Sequence, residues 1–459
     1  MGVILNRESM RKIFILLALA CTARVASGQQ AGQSPAGSPS VLPRAVVPEC
    51  VPGNGGTTGD SLCLTRQVAI DRALVSNPQL QVSAALNAQA RARKVQATAI
   101  PDPNFSAQWT ESSGIFGSGG ATTKSVGAML TVPFLDKFRL QGKMGMADVH
   151  SAEADSALAR QTIQSLTSQG YDAVLAAIRR HEDLIEAKVL ADDFVRKTQA
   201  RYDAGTAARL DVVKAQVAAS QAENDLIASE RDLGNARASL NRLLGRRLDA
   251  PVATADSFAV PGAVPSLATL LVAALQNRPE IRSLQSQQQG ARAASALAKE
   301  FWLPDLTVGI GRDLAADRGP GLLTTGISLP IPIFYWQHAK GEIAERRYHE
   351  QELEATARNL AAAVGEEVRT LYSAAVTSRR QATHLRDQLL PAAREAYRIA
   401  SASYALGGSS ALEVLDARRT LIDAENQYTD ALVAANSARA ELERAVATPL
   451  ASFGTGVSQ

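Results

Sequence analysis

The chain has 459 residues, 48 Lys and Arg against 45 Asp and Glu, and a formal net charge of +3. With acidic and basic residues intermixed, this excludes the strong positive field of a nucleic-acid-binding surface and reads as solvated helix faces. Aromatic residues make up only 5%, while Ala, Leu, Gln, Arg and Glu fill 139–245 and 338–447, which argues against several ordinary globular cores and for long helices packed through small side chains.

At the N-terminus Arg7, Arg11 and Lys12 precede an apolar run from Ile13 to Cys21, followed by Ala26, Ser27 and Gly28. A basic start, a short apolar stretch and a small-x-small end predict a secretory signal peptide over 1–28. Lipid attachment at Cys21 is the alternative, disfavoured because Ala18 stands where that signal takes leucine. Beyond residue 28 no run reaches the roughly 18 apolar residues of a membrane helix. A periplasmic, secreted or β-strand outer-membrane protein remains open. Segment 29–62 is rich in Pro, Gly and Ser and is expected to be irregular. Cys50 and Cys63, close together in an exported chain, are expected to form a disulfide, with two free thiols as the alternative.

The first repeat then runs over 63–245. A short helix over 66–76 ends before Pro78, because the residue preceding a proline disfavours helical geometry. A helix over 79–98 follows, then two extended segments. Phe105, Ala107 and Trp109 interleave with Ser106, Gln108 and Thr110, and Val126, Ala128, Leu130 and Val132 with Ser125, Gly127 and Thr131. Such period-two alternation places apolar residues on one face and small or polar ones on the other. A long helix over 139–203, a break at Gly205 and a helix over 207–244 complete the repeat. The linker 246–265, with Pro251, Pro261 and Pro265, reads as a hinge.

The second repeat, 266–447, restates the plan. Helices are predicted over 266–277 and 280–300, and strands where Leu306, Val308 and Ile310 alternate with Thr307, Gly309 and Gly311, and Leu323, Ile327, Leu329 and Ile331 with Thr324, Gly326 and Ser328. A long helix over 338–403, a break at Gly407 and a helix over 410–447 follow, and the tail 448–459 is expected to be irregular. The duplication is visible residue by residue. Tyr202, Gly205, Leu210, Asp211 and Val212 reappear as Tyr404, Gly407, Leu412, Glu413 and Val414, and the same offset pairs Ala222-Glu223-Asn224 with Ala424-Glu425-Asn426. Earlier, Asn77-Pro78 pairs with Arg278-Pro279. Two copies of about 200 residues therefore share one layout.

The strands have lengths that suit the roughly 9–11 residues of a membrane strand. Trp109, Trp302, Phe334, Tyr335 and Trp336 lie at or near their ends, where a bilayer interface takes amphipathic rings; soluble hairpins with rings packed on a core are the alternative. Four strands cannot close a membrane barrel, since the smallest have about eight and lipid does not tolerate open edges. If the strands span a membrane, several chains share one barrel. A helix of 65 residues reaches roughly 100 Å at 1.5 Å per residue. Leu226, Leu233 and Leu240 recur at seven-residue spacing, the period of a helix seam.

These features resemble the TolC-type outer-membrane efflux family over about 63–447, and more loosely its cobalt–zinc–cadmium branch. The resemblance rests on the doubled plan, Asn77-Pro78 and Arg278-Pro279, Pro103-Asn104 and Pro304-Asp305 at strand entry, Pro332-Ile333-Phe334 leading to Gly341, and above all the Tyr-x-x-Gly then Leu-Asp/Glu-Val signature after each long helix. It implies a mainly α fold with a β-barrel portion: a homotrimer whose 12-stranded barrel sits in the outer membrane and continues as a periplasmic α-helical barrel. The partners it implies are outer-membrane lipid, a periplasmic adaptor (membrane fusion) protein and an inner-membrane transporter of the resistance–nodulation–division type. Neither cofactor, catalysis nor nucleic acid is implied.

By position, the resemblance makes Tyr202, Asp211, Tyr404, Glu413 and Asp416 candidates for the pore constriction. Glu413 and Asp416, three apart on a helix, can share a face, and in a trimer would ring the axis with carboxylates that attract cations. A solvated helix start is the alternative. Ser409 stands where some relatives place a gate arginine. Gly205, Thr206, Arg209, Leu210, Gly407, Ser409 and Leu412 are the candidates for the periplasmic tips that meet the adaptor. A type I secretion duct and a periplasmic helical-hairpin adaptor are the competing readings.

Other motifs carry no chemistry. His181-Glu182 lacks a second His at metalloprotease spacing, His338 and His349 lie roughly 16 Å apart along a helix, and Gly114–Gly120 has no P-loop lysine.

Overall fold

The computed structural model describes residues 62–112, 121–314, 322–331 and 333–453. The signal peptide, Cys50 and with it the expected disulfide to Cys63, Pro332 and the loop 114–120 lie outside the described residues.

The first repeat comprises β1 (Leu62–Leu64), α1 (Arg66–Ser76), α2 (Pro78–Ala97), β2 (Asn104–Ser112), β3 (Ala121–Val132), α3 (Leu135–Asp203) and α4 (Arg209–Leu243). β4 (Val252–Thr254) lies in the linker, and the second repeat comprises α5 (Leu267–Asn277), α6 (Pro279–Lys299), β5 (Leu306–Asp313), β6 (Leu323–Ser328), α7 (Tyr335–His384), α8 (Leu390–Ala405) and α9 (Ala411–Val446). The helix boundaries follow local chemistry. Asn77 ends α1 and caps α2, accepting from Gln79 N at 2.8 Å, while Pro78 occupies the first turn, where its missing N–H costs nothing. Asn77 also donates to the Leu243 carbonyl at 2.8 Å, fastening this corner to the end of α4. In the second repeat Arg278 takes that corner and reaches Glu367, which also binds Arg444.

Three expectations are corrected. Segment 29–62 ends in strand and not in irregular chain, because Leu62 opens β1, which pairs in parallel with β4. Leu64 and Val252 bury themselves against Tyr171, whose hydroxyl donates to the Leu64 carbonyl at 2.9 Å. The helix expected over 338–403 is divided by a π turn at Leu385–Leu389. Pro391 has no N–H and its ring crowds the carbonyl four residues back, so the wider turn absorbs the mismatch. In the tail, Leu450–Phe453 forms a short 3₁₀ turn seated by the buried Leu450.

The helices lie side by side. α3 contacts α2, α4, α6 and α9, and α7 contacts α6 and α9. Small residues permit the close approach: a Cβ on Gly290 of α6 would lie 3.1 Å from that of Ala147 on α3. Separate buried clusters sit at the base of each repeat and at the tips. Among the described residues no helix is long and apolar enough to cross a membrane.

β2, β3, β5 and β6 form one antiparallel sheet in that order, so the repeats join through β3 and β5. The register places Phe105 across from Ala128, Ala128 from Ile310, Val126 from Arg312 and Val308 from Ile327. The opposite face carries Ser106, Gly127, Gly311 and Thr324.

Candidate functional site

Two regions carry the candidate residues: the sheet at one end of the long helices and the hairpin turns at the other. On the sheet, the apolar face finds nothing to cover it among the described residues. Phe105 is 77% exposed, Trp109 71% and Ile327 76%, with Val126, Leu306, Val308, Ile310 and Leu323 also exposed. A contiguous apolar face of this extent is the mark of a membrane or an assembly surface. Among the described residues β2 and β6 are the open edges of this sheet. Trp302 stands on the 3₁₀ turn Glu300–Trp302 just before β5, and Phe334 meets Trp336 edge-on at 5.7 Å; all three are exposed. Tyr335 begins α7. Lys137 of α3 pairs with Asp305 at 2.7 Å, tying sheet entry in one repeat to helix entry in the other.

At the hairpin turns, Gly205 and Gly407 adopt φ of 75° and 84°, conformations costly for any residue with a Cβ. Around each, two reversed bonds close the helix end: Gly205 N to Tyr202 O and Thr206 N to Arg201 O, and Gly407 N to Tyr404 O and Gly408 N to Ser403 O. The Thr206 hydroxyl adds a bond to Arg201 O at 3.1 Å.

The turns differ in how the next helix starts. Ser410 and Glu413 form a reciprocal capping box, each side chain taking the other's backbone N–H at 3.2 Å. α4 starts from Ala208, which has no side-chain cap. The carboxylate of Glu413 is thus engaged by its own helix start, whereas Asp416 is exposed one turn further on. Asp211, in the first turn of α4, is half-buried, and Tyr202, Arg209, Leu210 and Leu412 are exposed. Ser409 is half-buried.

Tyr404 does not project from the chain. It is 3% exposed, with its ring 5.2 Å from that of Phe194 and the Arg201 guanidinium 4.5 Å above its face. Arg201 also donates to the Tyr404 carbonyl. The first hairpin therefore grips the second through Arg201 and Phe194. Neither was a candidate from sequence, although the repeat alignment offered a signal: Arg201 precedes Tyr202, where Ser403 precedes Tyr404.

Further up the helices, Arg66 pairs with Asp172, which is 1% exposed. Burial pushes Asp172 up to about 6, with Arg66 pulling the other way. For Glu367, burial works upward but the Arg278 and Arg444 guanidiniums prevail and hold it below the ordinary carboxylate range. Among the described residues no group of three or more His, Cys, Asp or Glu could hold a metal ion. His181 bonds Ser229 across α3 and α4.

A profile of outer membrane efflux proteins matches the chain twice, over 69–246 and 270–448. The cobalt-zinc-cadmium resistance protein CzcC of Cupriavidus metallidurans is 27% identical over 399 residues, covering 83% of this chain and 89% of that protein. Outer membrane protein TolC of Vibrio cholerae is 24% identical over 303 residues, 62% of this chain and 68% of TolC. Among solved structures, the outer-membrane channel OprN superposes with a TM-score of 0.71 at 18% identity, over 84% of this chain and 90% of that one. CusC gives 0.70 at 19% identity, over 86% and 94%. These two likenesses speak to the fold.

Proposed function

The chain belongs to the outer membrane efflux protein family, and on that premise we propose that three copies form the exit duct of a tripartite pump whose cargo is heavy-metal cations. It is an outer-membrane efflux channel with a large periplasmic portion, a passive conduit and not an enzyme. The observation that carries the trimer is the open sheet. Four strands with an uncovered apolar face and two free edges cannot sit in lipid alone, whereas three chains supply the 12 strands that close a barrel. The 69-residue α3 extends the duct by roughly 100 Å. A periplasmic adaptor has no use for such a sheet, which sets that competing reading aside.

The cargo reading rests on CzcC, which this chain matches over most of both lengths. Selection among solutes belongs to the inner-membrane transporter, taken here as the resistance–nodulation–division type. The exposed Leu210, Leu406 and Leu412 at the turns offer apolar contacts to an adaptor, with Gly205, Thr206, Arg209, Gly407 and Ser409 shaping the same surface. The constriction is assigned to Asp211, Asp416 and Tyr202. Glu413 takes part as a helix cap, and Tyr404 as the core that holds the turns in place.

Conductance of the purified protein in a planar lipid bilayer tests the duct. Long-lived, cation-preferring steps from a trimer-sized species support it, and Asp416→Ala should lower cation selectivity. A well-folded monomer that fails to insert into lipid would sink the reading. Deleting the gene and finding unchanged growth in zinc, cobalt and cadmium would refute the cargo while leaving the duct.

A further inference from the structure

The two ends of the four-stranded sheet handle charge differently. At the end that meets the helices, Lys137 pairs with Asp305 at 2.7 Å and Arg139 with Asp136. The rings of Trp302, Phe334 and Trp336 stand at that end too. At the far end, Lys124 of β3 and Arg312 of β5 are exposed and meet no acceptor among the described residues. The register fixes the face they occupy, since directly opposed residues of an antiparallel pair share one face. Lys124 lies across from Trp109, and Arg312 across from Val126 and Leu323. Both basic side chains therefore rise from the apolar face. Asp313, next to Arg312 in the chain, is paired with Ser125 on the opposite face. Lys124 and Arg312 are diagonal neighbours, with Cα atoms roughly 7–8 Å apart. Glu111 holds the outermost register position of β2 on this face, across from Thr122.

A charge on the lipid face of a membrane strand is costly at the bilayer mid-plane and costs little at the interface. Long basic side chains at that level lay their stems on apolar surface and present their heads to the polar layer. The helical portion is periplasmic, so the far end of the sheet meets the outward leaflet of the outer membrane. That leaflet is built of glycolipid whose sugar headgroup carries phosphate. A guanidinium takes a phosphate through two parallel bonds, and an ammonium takes it as a point charge. Two such cations on adjacent strands can hold one phosphate from two sides. Below them Phe105 and Ile310 offer exposed apolar surface to acyl chains. Trp109, beside Lys124, supplies the amphipathic ring that suits the boundary between the two.

We propose that Lys124 and Arg312 form a seat for the phosphorylated headgroup of the outward leaflet's glycolipid, lipopolysaccharide, whose acyl chains lie on the apolar face below. The seat rests on the duct reading, because only a closed barrel sets this face against lipid. β3 and β5 join the two repeats, so neither repeat holds the seat alone. Three chains present three seats at one level of the barrel. Aromatic rings mark the periplasmic boundary and phosphate contacts the outer one, so the sheet is held in depth and in orientation. The two ends differ in side-chain chemistry because the two leaflets differ in headgroup chemistry.

Native mass spectrometry of the purified trimer in detergent tests this, with a chelator present so that no divalent cation bridges phosphate to a carboxylate. Added lipopolysaccharide should be retained at up to three copies per trimer, and the same lipid stripped of its phosphates should not be. Lys124→Gln combined with Arg312→Gln should weaken retention about thirtyfold, roughly fivefold for each charge near a membrane surface. Lys124→Arg keeps the charge and should bind as the parent does. If the double variant does not assemble, Lys124→Gln alone, compared on phosphorylated and stripped lipid, decides the matter. Unchanged retention in the variants, or equal retention of the stripped lipid, overturns the proposal. Phosphatidylglycerol and inorganic phosphate serve as competitors at equal concentration, and neither should displace the lipopolysaccharide. Displacement by the first would show a general anionic-lipid surface, and by the second a free-anion site; either overturns the seat. Planar-bilayer conductance separates the two readings. Conducting trimers without phosphate-dependent retention refute the seat and leave the duct, whereas a monomer that never inserts refutes the duct and the seat with it.

Discussion

The hairpins α3–α4 and α8–α9 follow one plan, yet they are built to different tolerances. The first rises on a single 69-residue helix and starts its return strand of helix from an uncapped Ala208. The second reaches the turn through a π interruption below Pro391 and starts its return from the Ser410–Glu413 capping box. α3 runs without a proline or a π turn, whereas a π turn at a proline is a ready place to bend. The second hairpin thus combines a pliable shaft with a firm end, and the first a rigid shaft with a looser end. Duplication supplied two copies of one rod, and a handful of substitutions divided the labour.

Transferring the proline is the strongest way to break this contrast. Val189 occupies in α3 the position that Pro391 holds in the second repeat. Val189→Pro should cost about 3 kcal/mol or more by removing a helix bond and crowding a carbonyl, read as a lowered melting temperature of the solubilised trimer. Pro391→Ala should cost far less, since the π turn already bears the strain. Equal losses would mean that α3 bends as readily.

The bases of the repeats should respond oppositely to pH. Asp172 titrates near 6 in the fold against an ordinary value of 3.8, so the folded state holds the extra proton and stability falls as pH rises from about 4 to 6, by on the order of 2 kcal/mol. Asp172→Asn should flatten that slope in urea titrations. Glu367 is held below its ordinary value, so its contribution is present above that value and is lost as pH falls through the lower one. Glu367→Gln should remove this acid-side loss and leave the other slope.

Smaller effects sharpen the comparison at the turns. Gly205→Ala and Gly407→Ala should each cost about 1–2 kcal/mol, because both hold φ in the left-handed region whatever space surrounds them. Ser410→Ala should cost about 1 kcal/mol, and Ala208→Ser should gain a similar or smaller amount by giving α4 the cap it lacks. Calorimetry that finds Ser410→Ala neutral would show that tip packing around Tyr404, and not the cap, fixes the start of α9.

Much of this was legible before any coordinates. Asn77-Pro78 and Arg278-Pro279 mark helix junctions because proline acts on its nearest neighbour. The alternation through Val126, Ala128 and Leu130 marks a strand because a pleat inverts every residue. The repeat shows itself in Tyr202 and Tyr404 because the plan is written twice in the chain. What stayed hidden depends on partners far away in sequence. β1 and β4 have three residues each, too few for a period, and pair across the whole first repeat. Tyr404 could be aligned, but its burial under Arg201 and against Phe194 required the hairpins to meet. Arg418 sits in a charged helix surface by sequence and in the interior by structure. Local sequence chemistry determined the elements, their caps and their apolar faces, since those depend on bonds within a few residues. Only the tertiary structure decided which charges are withdrawn from water and what each then faces, since desolvation is a property of everything packed around a group.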